Sequence, residues 1–214
     1  LDALELLEYR GYDSAGIALA DTGLKQTKVY KCAGRVKDLR AICESEKLIT
    51  ECGIGHTRWA THGGVNDTNA HPHQVGKVTL VHNGIIENYR ELIADYELES
   101  VLKSETDSEV VAALLNKFYT GDPDEAIKKT VSKLKGTFAL VILFEDHQGE
   151  IYSVRNVSPI VATLCKEGAM LASDLTALCR FTNRYFVVPE YHILKLAKDA
   201  IVLKDFNGNQ VEPD

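Results

Sequence analysis

His56-Thr57-Arg58-Trp59-Ala60-Thr61-His62-Gly63 puts a cation, a large flat ring, a hydroxyl and two imidazoles within a few residues. It runs directly out of a strand candidate at residues 52–57, and loops held by a rigid sheet are where binding groups commonly lie. The segment therefore reads as a substrate-binding loop on a strand-built scaffold. Arg58 offers a planar fork suited to a carboxylate, and Trp59 a ring able to cover a small substrate. An interior ion pair beside a packed Trp is the alternative for the Arg-Trp pair alone; Thr61 and His62 in the same loop weigh toward a ligand site.

Outward from this loop, four more polar blocks follow a fixed order: Tyr9-Arg10-Gly11-Tyr12-Asp13-Ser14, Asn69-Ala70-His71-Pro72-His73, His82-Asn83-Gly84-Ile85-Ile86-Glu87-Asn88-Tyr89, and Ser104-Glu105-Thr106-Asp107-Ser108-Glu109. The segments between them alternate in period. Residues 16–20 and 28–32 favour strands, with Asp21-Thr22-Gly23 as the turn, and Val36, Leu39, Ile42 and Cys43 recur at helical spacing. Residues 78–82 predict a strand, Leu92, Ile93 and Tyr96 a helix. Thr106-x-x-Glu109 is a capping box opening a helix with Val110, Val111, Leu114, Leu115 and Phe118 on its apolar face. Pro123 suits the first turn of another helix that buries Ile127, Val131 and Leu134.

Beyond Gly136 the chain reads as strands at residues 137–144, 151–155, 160–164 and 170–172, a helical turn within 173–180, then strands at 185–188, 192–196 and 200–204. Their short connections imply antiparallel pairing, and the whole is α+β.

Asn83-Gly84 directly after an apolar strand supplies a side-chain amide and a closely approachable backbone amide, the two donors a developing oxyanion needs. A plain Asn-Gly turn is the bland alternative. Asp107 in a first helical turn is favoured by the helix dipole whatever else it does. Arg10 could pair with Asp13. His56, His62, His71, His73 and His82 invite a metal, but no carboxylate or thiol stands at matching ligand spacing, so no metal and no cofactor are expected.

A length of 214 residues with 45% hydrophobic content suffices for one domain with a sizeable core. A net charge of -7 without charge blocks argues against nucleic acid or an anionic membrane as partner. The longest apolar run, 138–144, falls well short of the roughly 20 residues that cross a bilayer. Five cysteines at irregular spacing, without CxxC, suggest neither a disulfide framework nor a zinc ribbon and fit a reducing cytoplasm. Cys32, Cys43, Cys165 and Cys179 read as small buried hydrophobes, and Cys52 as a structural thiol.

Together the five blocks resemble the glutaminase domain of the glutamine:fructose-6-phosphate amidotransferases, members of the class II amidotransferases. The resemblance implies a four-layer αββα sandwich of the N-terminal nucleophile hydrolase type, spanning residues 1–214. It implies hydrolysis of L-glutamine to supply ammonia for conversion of fructose 6-phosphate to glucosamine 6-phosphate, in a homo-oligomer. By resemblance Arg58 holds the substrate α-carboxylate and Asp107 its α-amino group. By the same resemblance Trp59 gates the ammonia channel, Thr61 and His62 help line the pocket, Asn83 and Gly84 form the oxyanion hole, and Arg10 orients the catalytic terminus; His71 is a further candidate for shaping the pocket, with core or hydrogen-bonding duty as its alternative. In this family the nucleophile is an N-terminal Cys whose own α-amine is the base; the chain opens at Leu1, so the expectation is an N-terminally incomplete domain, inactive as it stands, with an isomerase domain downstream. Another class II amidotransferase, such as the one aminating phosphoribosyl pyrophosphate, and a non-catalytic glutamine-binding module are the alternatives.

Overall fold

The computed structural model describes residues 1–21, 26–46, 50–60 and 63–213. In chain order the elements are α1 (Asp2–Glu5), β1 (Ser14–Asp21), β2 (Gln26–Cys32), α2 (Val36–Ser45), β3 (Gly53–Arg58), β4 (His73–Val75), β5 (Val78–Ile86), α3 (Tyr89–Tyr96), α4 (Asp107–Phe118), α5 (Pro123–Val131), β6 (Gly136–Phe144), β7 (Ile151–Asn156), β8 (Val161–Cys165), β9 (Gly168–Ala172), β10 (Phe186–Val187), β11 (His192–Ala197) and β12 (Ala200–Asp205). The strands form a six-stranded sheet, β12-β11-β7-β6-β5-β4, and two three-stranded sheets, β2-β1-β3 and β10-β8-β9. All pairings within them are antiparallel.

The layering follows from strand alternation. Along β6, Phe138, Leu140, Ile142 and Phe144 turn to one face and join Val110, Leu114 and Ile127 of α4 and α5 in the largest core. Ala139, Val141 and Leu143 turn to the other face and meet Ala18 of β1, Ile54 of β3 and Ala162 of β8. Both faces of β6 are thus apolar, which is why residues 138–144 read as an unbroken run instead of an alternating one. Each fully buried Leu or Ile contributes about 1.5–3 kcal/mol, so this central strand anchors both layers. On the far side, Val36, Leu39 and Cys43 of α2 cover the outer face of the β1 sheet. The order is helices α3–α5, six-stranded sheet, paired three-stranded sheets, helices α1 and α2: the αββα sandwich expected.

Several local readings change. The strand expected at 78–82 continues to Ile86, with Asn83 opposite Ala139 and Gly84 opposite Phe138 on β6. Asn83-Gly84 is therefore neither a turn nor a loop after a strand. Residues 173–180 contain only a single 3-10 turn, Leu175–Ala177, and Leu134 lies beyond α5 while still joining its core. Thr106 caps α4 by accepting from the Glu109 amide at 3.2 Å. The Glu109 carboxylate reaches back further than a simple capping box, accepting from the Lys103 and Ser104 amides at 2.9 and 2.5 Å. The turn expected at Asp21-Thr22-Gly23 falls largely outside the described residues.

Candidate active site

The end of β3 delivers Arg58 into the space between the sheets, where it is 4% exposed. Burial lowers the guanidinium pKa, and the nearby carboxylates of Asp13 and Asp107 raise it again. Arg58 Nη1 donates to Gly64 O at 3.2 Å, so the cation also shapes the segment that follows it. That segment is tied down elsewhere. Asn69 Nδ2 donates to Gly64 O and to Glu105 Oε2 at 3.0 and 3.1 Å, and Glu105 N donates back to Asn69 Oδ1 at 3.0 Å. Asp13 Oδ2 accepts from the Ala60 amide at 2.9 Å. Blocks far apart in sequence thus brace one another around Arg58.

Asn83 projects from β5 toward the three-stranded sheet, and its Oδ1 meets His56 Nε2 of β3 at 2.7 Å. With Oδ1 so engaged, the Asn83 amide nitrogen is the end left for a ligand. Gly84 has φ +135°, and a Cβ there would lie 2.1 Å from Thr137 O of β6. Glycine is demanded by that close approach between strands, a reason separate from the ligand access read from sequence.

A group of imidazoles lies behind Asn83, with His71, His73 and His82 buried and His56 half-buried. The rings of His56 and His71 stack with centroids 4.2 Å apart, and His73 meets His71 edge-on at 4.7 Å. His71 Nδ1 accepts from the His82 amide at 3.2 Å, which leaves its proton on Nε2. His82 Nδ1 pairs with Ser108 Oγ at 2.9 Å, and His73 Nε2 with Thr106 Oγ1 at 3.0 Å. Burial pushes His56 down to about 4 and His73 to about 3, and holds His71 well below the usual imidazole range. These rings are neutral near pH 7. Among the described residues no cluster of three or more His, Cys, Asp or Glu has the arrangement to hold a metal.

Asp107, 4% exposed in the first turn of α4, accepts from the Ile86 amide at 2.8 Å through Oδ2 and from Ser108 Oγ at 3.4 Å through Oδ1. A carboxylate has about four acceptor positions, so room remains for an ammonium donor.

Arg10, His56, Arg58, Trp59, His71, Asn83, Gly84 and Asp107 line one cavity of about 680 Å³, within the range of roughly 300–1,000 Å³ usual for small-molecule sites. Thr61 and His62 lie outside the described residues. Trp59 is 63% exposed at the mouth, its ring tilted against Tyr12 with centroids 6.3 Å apart. Arg10 pairs with Asp174 at 3.3 Å and donates to Ser173 Oγ at 2.9 Å, instead of pairing with Asp13. That bridge joins the first polar block to residues 173–174. In the sequence His56 stands out only as part of the loop block and as one of five possible metal ligands; its pairing with Asn83 across two sheets is what marks it as part of this site.

The cysteines are free thiols. Cys52 is buried in the core between the sheets, and burial pushes its thiol up to about 11, the opposite of an activated nucleophile. Cys43 is buried as expected, Cys32 and Cys165 are half-buried, and Cys179 is exposed, which corrects the reading of all four as buried. No helix among the described residues is long and apolar enough to cross a membrane.

Comparison with known proteins supplies an independent line. The family described as "Glutamine amidotransferase domain" matches residues 56–180. The glutamine--fructose-6-phosphate aminotransferase [isomerizing] of Staphylococcus aureus is 43% identical over all of this chain, and that of Bacillus subtilis 41% identical over 99% of it. The chain spans only 36% and 35% of the length of these relatives. Among solved structures, the glutamine phosphoribosylpyrophosphate amidotransferase of B. subtilis, complexed with ADP and GMP, superposes with a TM-score of 0.81 at 24% identity, over 97% of this chain and 46% of that one. A glutamine aminotransferase class-II domain protein from Silicibacter pomeroyi does so at 0.64 and 16%, over 92% and 96%.

Proposed function

This chain belongs to the glutamine amidotransferase family, and from that premise we propose that it is a glutaminase domain whose ammonia converts fructose 6-phosphate to glucosamine 6-phosphate. The product assignment draws on the 43% and 41% identity to the isomerizing aminotransferases. In this reading an isomerase domain and the nucleophile-bearing terminus are contributed by further parts of the same protein. The observation that carries the glutamine reading is a buried cation, Arg58, and a buried anion, Asp107, facing one cavity beside an Asn83 amide whose oxygen is already engaged.

The chemistry follows from those charges. Arg58 holds the α-carboxylate of glutamine and Asp107 its α-ammonium, so the amino acid enters in one orientation with its side-chain amide toward Asn83 and Gly84. A thiolate attacks that amide carbon, and the carbonyl oxygen gains negative charge. Asn83 Nδ2 and the Gly84 amide, already in place before the reaction, stabilise this charge as it develops. Collapse, with the proton that the terminal α-amine took from the thiol passed to the leaving nitrogen, releases ammonia and leaves a thioester, which water cleaves to glutamate and the free thiol.

Steady-state glutamate release by the full-length protein tests the reading. Arg58→Lys should raise KM for glutamine at least about 10-fold, because a point charge cannot reproduce a bidentate fork. Normal KM in both Arg58→Lys and Asp107→Asn would put the amino-acid site elsewhere.

A further inference from the structure

We propose that His56 is a positioning residue: its Nε2–H holds Asn83 Oδ1, and thereby selects which end of the Asn83 amide faces the substrate. The inference rests on the oxyanion reading of Asn83 and adds the device that makes that residue a donor. An Asn side chain presents an oxygen or an NH₂ group depending on a 180° rotation, and only the NH₂ end can stabilise a developing oxyanion.

The geometry supplies that choice. His56 and Asn83 stand on different sheets and meet at 2.7 Å. A ring with its proton on Nε2 donates there, so of the two ends of the Asn83 amide only Oδ1 can be its partner, which turns Nδ2 away from the histidine. His56 is itself held, since its face lies on His71 with centroids 4.2 Å apart, and His71 is fixed in turn by the His82 amide at 3.2 Å. His56 Nδ1 is buried and has no partner among the described residues. Nothing within hydrogen-bond reach therefore pulls the ring proton away from the Asn83 side. The strand partner of His56 on β1 is Gly16, where a Cβ would lie 2.1 Å from His71 O, so the absence of a side chain lets the His71 segment settle against the ring.

The test compares two substitutions of similar bulk in the full-length protein. His56→Gln keeps an N–H donor for Asn83 Oδ1, whereas His56→Met keeps volume and loses the donor. His56→Met should lower glutaminase kcat about 10- to 100-fold, less than the roughly 10²–10³ of losing the donor outright, with KM for glutamine changed by no more than about 3-fold. His56→Gln should retain most of kcat. In the double variant His56→Met/Asn83→Ala, kcat should match Asn83→Ala alone, because a positioning residue has nothing left to position. Equal kcat in the Gln and Met variants, or losses that multiply in the double variant, overturns the proposal. Asn83→Ala with full kcat rejects instead the oxyanion reading on which it stands, so the two failures are told apart.

Discussion

Lowering the pH should destabilise this domain before most of its carboxylates protonate, because three histidines of the site are held neutral by their surroundings. His56, His71 and His73 stack or meet edge-on inside the site, and burial depresses all three, to about 4 for His56, about 3 for His73 and well below the usual value for His71. In an unfolded chain each titrates near 6.5. Between the two values the unfolded state binds protons that the folded state refuses, so stability is complete above about pH 7 and falls as pH drops toward the folded value. From pH 7.5 to 5 each histidine removes about 2 kcal/mol, and the three together about 6 kcal/mol, against a typical total of roughly 5–15 kcal/mol. Urea unfolding followed by circular dichroism at half-unit intervals over that range measures the slope directly. His73→Gln should flatten it by about a third, since Gln carries no titrating proton while retaining polar contact with Thr106. A midpoint unchanged from pH 7.5 to 5 would refute the reasoning, because the unfolded chain takes up protons over that range whatever the folded state does.

Asn83→Ala in the full-length protein should lower kcat by about 10²- to 10³-fold and leave glutamine affinity nearly unchanged, since the donor meets charge that develops only in the transition state; parallel kcat and KM measurements check it. Gly84→Ala, which must fit a Cβ 2.1 Å from Thr137 O at φ +135°, should cost about 2–4 kcal/mol in urea unfolding. Cys52→Ala should leave glutamate release within about 2-fold, because the thiol is a buried core group; loss of turnover in a folded variant would make it a nucleophile instead.

The elements legible in the sequence are those whose burial is settled locally. The apolar stripe Val110, Val111, Leu114 and Leu115 and the Pro123 opening define α4 and α5 without reference to the rest of the chain. The run at 138–144 is recognisable because a strand covered on both faces needs no polar alternation. What was misread depends on partners elsewhere. Nothing local extends β5 through Asn83-Gly84, and a two-residue window there resembles a turn; the extension comes from pairing with residues 136–139. Arg10 and Asp13 are near neighbours in sequence, yet Arg10 bridges to Asp174 while Asp13 accepts from Ala60, contacts set by how the sheets stack.

The same logic explains why the site residues showed as types while their roles needed geometry. A buried charge is costly unless answered, so Arg58 and Asp107 stand out once burial places both at one cavity. The histidines are a different case. Five within one region suggested a metal, but a metal site needs its ligands converging on a point. Among the described ones, the rings of His56, His71 and His73 stack face to face or edge to face, and the nitrogens of His56, His82 and His73 meet Asn83, Ser108 and Thr106 while His71 accepts from a backbone amide. Each ring thereby fixes a different neighbour. Neutrality makes this possible: a charged imidazole would repel its stacked partner and weaken the pull of Arg58 on a carboxylate, whereas neutral rings add hydrogen-bond direction without altering the charge balance between Arg58 and Asp107.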